Sequence, residues 1–370
     1  MSASPIEEIP RQGDAELADL LGEMVAGGRA TAAVVVLAVG EGPLRVASAG
    51  WRRPPRSPER PEAPVEPGGV RALDPSDRFD LASLSKPIYA AMALRWAASA
   101  LLPLDTRLAE IWPRVAPALA HVTLEDLLRH RAGFSRWTPL YARCANRREA
   151  ADALLGGRLL GAELPGYSDL DYILWGLSVE RALGEPLDRL VAREVGGLGP
   201  GAPLARPEAA TAVECRMDGA RESALAAELG VEVVPPAVPR PGQVQDGNAR
   251  FLGGVAGHAG LFASASGIWR VVEEWMRPSG WLTVDGVDGA LSNASGPFVL
   301  GWTRPSAWES VGGALPAHAY GHLGFTGGSV WFDRSAPSAL VLLAHRSSPA
   351  ADLGPWRHRL HERFTAGAGG

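Results

Sequence analysis

Lysine is nearly absent from this 370-residue chain: Lys and Arg together number 36, and Lys86 is the one lysine among them. A composition rich in Arg, Ala, Gly and Pro accounts for the arginines but not for the exception. Cysteine is scarce as well. Cys144 and Cys215 form no CxxC and have no spacing that could ligate a metal, which argues against a disulfide framework and against a zinc module. Both read as buried thiols. Positive charge is not in excess: 41 acidic against 36 basic residues leave a net charge of −5, so no basic field invites nucleic acid. Long apolar runs are missing too. AAVVVLAV (32–39) falls far short of the roughly 20 residues a membrane span needs. The acidic opening MSASPIEEIPRQGDAE has no apolar signal core. The expectation is a cytoplasmic protein with no membrane and no nucleic-acid partner.

What is present reads as one large domain. DAELADLLGEMVAGG carries apolar residues at helical spacing, and TAAVVVLAVG and PLRVASAG read as two strands joined by a short turn. Residues 52–77 are rich in Pro and Arg and aperiodic, which predicts a long exposed loop. A helical pattern runs from Leu84 to about Leu102. It continues in TLEDLLRH, REAADALL, SDLDYILWGLSVERAL, PLDRLVAREV and SASGIWRVVEEWM. Alternating apolar stretches then follow at PFVLGWT, HAYGHLG, SVWFDR and ALVLLAHR, with a helix near 355–365 and a frayed TAGAGG end. The predicted class is α+β: an antiparallel sheet flanked by helices, with a helical insertion forming a second lobe. Its α/β lobe would span about 14–82 and 290–366, and its mostly helical lobe about 83–289. The cleft between lobes is the natural site.

The single lysine stands three residues after Ser83 in FDLASLSKPIYA. At the start of a helix, residues i and i+3 share a face, so Ser83 Oγ and Lys86 Nζ can come within hydrogen-bonding reach. Burial can depress a lysine pKa until the amine accepts a proton, whereas arginine stays protonated. A composition that favours arginine everywhere would keep one lysine where deprotonation matters.

FDLASLSKPIYAA resembles the Ser-x-x-Lys segment of the serine β-lactamase and penicillin-binding protein superfamily, most of all its class C β-lactamase-related branch of esterases and D-amino-acid peptidases. PGYSDLDYILWG is similar to that branch's Tyr-x-Asn element, with Tyr167 and Ser168 present and Asp169 where Asn is usual. GHLGFTGGSVWFD is similar to its Lys-Thr-Gly or His-x-Gly strand, with His322, Leu323 and Gly324. LLRHRAGF (127–134), DGNARFLGGVAGHAGLF (246–262) and the closing LVLLAHR extend the likeness from about residue 15 to 365. The resemblance implies Ser83 as nucleophile, Lys86 as its activating partner, and Tyr167 as a phenol that takes or relays the proton. It also implies an oxyanion hole from the backbone N–H groups of Ser83 and Phe325, and an acyl-enzyme route needing no metal or cofactor.

Three positions bear on the chemistry. Asp169 sets an anion beside Lys86 and Tyr167. A unit charge near 4 Å is worth about 4 kcal/mol at an effective dielectric near 20, enough to offset the desolvation of Lys86. Either Lys86 stays cationic and helps ionise Tyr167, or Asp169 is itself neutral. Leu323 replaces a hydroxyl residue that helps hold a substrate carboxylate in the lactamases, and His322 replaces a lysine, making any cationic contact pH-dependent. With Asp169, His322, Leu323 and Gly324 as substrate-binding positions, the expected substrate is a small neutral ester or amide. Two alternatives remain: a non-catalytic module that senses an acyl or peptidyl ligand, and a true β-lactamase or D-Ala carboxypeptidase. His318, His322 and His258 give no metal motif, and His258 reads as a hydrogen-bonded loop histidine.

Overall fold

A computed structural model describes residues 14–54, 71–74, 76–161, 166–292 and 296–365. Asp14 caps helix α1 (Ala15–Ala26), its carboxylate accepting the Leu17 N–H at 3.0 Å, and paired glycines end the helix. Strands β1 (Ala30–Val39) and β2 (Arg45–Arg53) follow as the expected hairpin. The chain returns to the sheet at its far end with β6 (Tyr320–Leu323), β7 (Ser329–Asp333) and β8 (Ser338–Arg346). Together with the short β3 (Arg71–Ala72) they form one antiparallel sheet ordered β3-β2-β1-β8-β7-β6, with β1 and β8 paired from Ala30/Arg346 to Val39/Ser338.

The unbroken apolar run of β1 follows from its central position. Ala32, Val34, Val36 and Ala38 join a cluster that continues into the helical part of the chain. Ala33, Val35 and Leu37 meet Leu17, Leu21 and Met24 of α1 and Leu360 and Phe364 of the last helix, Gly354–Thr365. A strand covered on both faces has no polar side to show. Each fully buried Val or Leu contributes about 1.5–3 kcal/mol, which makes this pair of layers the stiff floor beneath the site.

The helical patterns settle close to their expected places, at Leu124–Leu128, Arg147–Leu155, Asp169–Leu183, Leu187–Val195 and Ala265–Met276. Helix α2 (Lys86–Ala98) is buried on almost every side and is preceded by one 3-10 turn, Ala82–Ser85, so the helix starts two residues later than its pattern predicts. A pair of two-residue strands, β4 (Phe79–Asp80) and β5 (Phe262–Ala263), delivers the chain into that turn.

Two expectations need correction. PFVLGWT is not a strand: Gly301, at φ +80°, turns the chain between bridged Phe298 and Thr303. Thr303 then exchanges both backbone hydrogen bonds with Gly321 on the open edge of β6. A Cβ at Gly301 would lie 2.4 Å from that of Ala90, so the turn presses directly on α2. The aperiodic stretch 52–77 is not loop throughout, because Arg53 and Trp51 pair with Arg71 and Ala72. Its 55–70 part lies outside the described residues, as does the TAGAGG end after Thr365.

Candidate active site

The 3-10 turn brings Ser83 to the mouth of a cavity of about 1060 Å³, and the first turn of α2 places Lys86 beneath it. Lys86 is wholly buried. Its amine donates to Ser83 Oγ at 2.9 Å, Tyr167 Oη at 2.8 Å and Asp169 Oδ1 at 2.7 Å, with the His258 carbonyl at 3.4 Å. Three short acceptors match the three N–H bonds of an ammonium. The Tyr167 hydroxyl in turn donates to Ser83 Oγ at 3.1 Å, closing a triangle of hydroxyl, amine and phenol.

Tyr167 and Asp169 reach the site from the start of the Asp169–Leu183 helix, whose cap is Ser168. His130 fixes that entry. Its Nδ1 accepts the Ser168 N–H at 3.1 Å, and its ring lies 4.7 Å from that of Tyr167. Trp308 packs edge-on against the same phenol from the other side. His258 bonds Asp246 through Nε2 at 2.9 Å, the loop role expected of it.

Electrostatics runs against both readings the sequence leaves open. Burial pulls the Lys86 amine below its usual range, against the opposing pull of Asp169. Burial opposes ionisation of Asp169, but Lys86 and His258 overcome it and hold the carboxyl below the usual range, so Asp169 is the anion of the pair. Burial, reinforced by Asp169, pushes the Tyr167 phenol well above its usual range and keeps it protonated. Neither a neutral Asp169 nor an ionised Tyr167 fits these directions.

The end of β6 abuts the nucleophile turn: a Cβ at Gly324 would fall 2.9 Å from the Leu81 carbonyl, and Leu323, Gly324 and Phe325 line the cavity with Ser83. His322 is buried, with Nδ1 2.8 Å from the Leu323 carbonyl, so Nδ1 carries the hydrogen. Burial and the nearby Lys86 push its pKa down to about 3. That corrects the expectation of a pH-dependent cation: enclosed by protein, the ring is a neutral acceptor across the physiological range. Positive charge instead enters from two residues that the sequence analysis did not single out. Arg346, at the end of β8, and Arg357, in the last helix, line the cavity, and neither has a carboxylate ion-pair partner among the described residues.

Fold and site together define a protein of the serine β-lactamase type. The family model "Beta-lactamase" matches residues 17–363, and the chain belongs to that family, whose members are hydrolases of this fold. A "Putative D-alanyl-D-alanine carboxypeptidase" of Escherichia coli O157:H7 is 30% identical over 207 residues, 50% of this chain and 46% of that protein. The match thus spans about half the length of the curated relative. Among solved structures, EstCE1, a hydrolase with promiscuous acyltransferase activity, superposes with a TM-score of 0.66 at 17% identity, covering 94% of this chain and 97% of that one. D-amino acid amidase from Ochrobactrum anthropi SV3 gives 0.66 at 15% identity over 96% and 98%. A penicillin-binding protein homologue from Caulobacter crescentus gives 0.64 at 18% over 95% and 97%. These likenesses establish the fold. Among the described residues no helix is long and apolar enough to cross a membrane.

Proposed function

We propose that the protein is a serine hydrolase that cleaves a small ester or amide through an acyl-enzyme on Ser83. The observation that carries this reading is the triangle of Ser83 Oγ, Lys86 Nζ and Tyr167 Oη, all within 3.1 Å of one another at the mouth of the cavity. Lys86, in its neutral form, takes the Ser83 proton as Oγ attacks the carbonyl carbon. The oxygen that becomes anionic rests against the backbone N–H groups of Ser83 and Phe325. Tyr167, held protonated, passes a hydrogen to the leaving group and is reprotonated through Lys86. Water then attacks the ester on Ser83 by the reverse relay.

A neutral His322 and an apolar Leu323 give the β6 end no cation for an anionic substrate, which favours neutral esters and amides. Arg346 and Arg357 favour a second reading, a substrate carrying a carboxylate, as in a penicillin or a peptide C-terminus. Incubation with a fluorophosphonate and separately with a penicillin, followed by intact-mass analysis, tests the class. Adducts of +1 equivalent are expected with the first, and no adduct with either overturns the enzyme reading in favour of a binding module. Hydrolysis of p-nitrophenyl esters of graded length, with and without a terminal carboxylate, then separates the two substrate readings.

The Asp169 carboxylate gives the pH dependence a definite sign. Its charge raises the Lys86 pKa against burial, and turnover grows with the fraction of neutral amine, so activity climbs as pH rises toward the Lys86 pKa. Asp169→Asn removes the anion, lowers that pKa and moves the rising limb of kcat/KM to lower pH. A limb that stays put or moves upward would show that Lys86 is not the titrating base.

A further inference from the structure

The residue before the nucleophile is strained. Ala82 has φ +46°, in the left-handed region that a residue with a Cβ rarely occupies, and it immediately precedes Ser83. Such a conformation persists only where its surroundings over-determine it. Here the determinant is Asp80, 2% exposed at the end of β4. One carboxylate oxygen accepts the Ala82 N–H at 2.9 Å and the other accepts the Gln245 N–H at 2.6 Å. The Asp80 backbone is itself pinned, its N–H donating to His345 Nε2 at 3.2 Å and its carbonyl accepting from Thr326 Oγ1 at 2.8 Å. No Lys, Arg or His forms an ion pair with the carboxylate among the described residues. An enclosed carboxylate without a cation is costly to a fold and needs another reason to be there.

We propose that Asp80 is a positioning residue whose carboxylate holds Ala82 in its left-handed conformation and so aims Ser83 Oγ at Lys86 Nζ, at the expense of folding stability. The inference rests on the reading of Ser83 as nucleophile. A carboxylate has acceptors for both amides at once. A carboxylic acid keeps one strong acceptor oxygen and only a weak one on its hydroxyl, and an asparagine turns an NH2 donor toward the second N–H, so protonation loosens the clamp and Asp80→Asn breaks it. Burial raises the Asp80 pKa from 3.8 to about 6, with Asp246 adding to the rise and Arg250 opposing it. Cys215 faces this carboxyl and His345 the Asp80 backbone N–H, and both are neutral near pH 6: burial pushes the thiol up to about 12 and the imidazole down to about 4. A raised folded-state pKa means that ionising Asp80 costs stability, a cost that appears as pH climbs from 3.8 to about 6 and that the asparagine variant avoids.

The test is the rate of fluorophosphonate labelling of Ser83 in wild type and Asp80→Asn, measured against pH beside the melting temperature. At neutral pH the variant is expected to label about tenfold more slowly or worse, because a misaimed nucleophile loses its proximity advantage, while its melting temperature holds or rises. Through about pH 6 the wild-type rate should fall more steeply with falling pH than the variant's, because protonation of Asp80 adds to whatever Lys86 contributes. Equal rates, equal slopes, or a variant that melts markedly lower or fails to fold overturn the proposal while the labelled wild type keeps the hydrolase reading. A wild type that does not label overturns both.

Discussion

Ser83→Ala is expected to abolish the fluorophosphonate adduct and to lower turnover of p-nitrophenyl esters by about 10³-fold or more, since the nucleophile of an acyl-transfer site acts as a unit with its base. The fold should survive. Ser83 occupies a 3-10 turn whose backbone is held by its neighbours, through the Leu84 N–H on the Leu81 carbonyl and the Ala82 N–H on Asp80. Its hydroxyl accepts hydrogen bonds from Lys86 and Tyr167, two groups that can still bond each other at 2.8 Å. Circular dichroism and a melting curve close to wild type, together with the lost adduct, would place the chemistry on this oxygen. Turnover within tenfold of wild type in a variant free of wild-type contamination would mean that the reaction uses another group.

Substitution of Lys86 should be as damaging to activity and more damaging to the fold. Lys86→Arg keeps the charge beside Asp169 but supplies a group that does not give up its proton, so turnover should again fall by about 10³-fold or more. Lys86→Met keeps the length without the charge. It leaves Asp169 facing a buried gap, and removing one member of an enclosed ion pair costs about 3–5 kcal/mol, less whatever the 17% exposure of the Asp169 side chain returns. The double variant Lys86→Met, Asp169→Asn discharges both members and should regain most of the lost melting temperature with none of the lost turnover. Recovery of activity in that double variant would show that the amine is structural.

The same lysine shows how far the sequence reaches. Its isolation in an arginine-rich composition and its spacing from Ser83 made the pair legible, and the structure brings the two side chains to 2.9 Å. The central strands were legible too, because β1 and β8 are apolar on both faces and admit few other readings. PFVLGWT misled because an apolar run with one glycine fits a strand or a turn equally, and only its contact with α2 decides between them. The state of His322 was hidden for a related reason: its titration depends on how completely the ring is enclosed, which residue type does not report. Arg346 and Arg357 went unremarked among 35 arginines, since nothing in the sequence marks which of them the fold turns toward the cavity. The left-handed Ala82 had no signal at all. Alanine favours helix, and the strain exists because Asp80, Gln245, Thr326 and His345 converge on the turn from four separate stretches.

Helix α2 is enclosed along nearly its whole length, whereas much of the cavity rim comes from connecting segments at 135–137 and 349–350, from Trp308 and Ser310, and from one short helix, Ala220–Glu228. The groups proposed to react and the rim around them are therefore carried by different parts of the fold. Rim residues can be exchanged for larger, smaller or oppositely charged ones without disturbing the tightly packed rod that carries the amine.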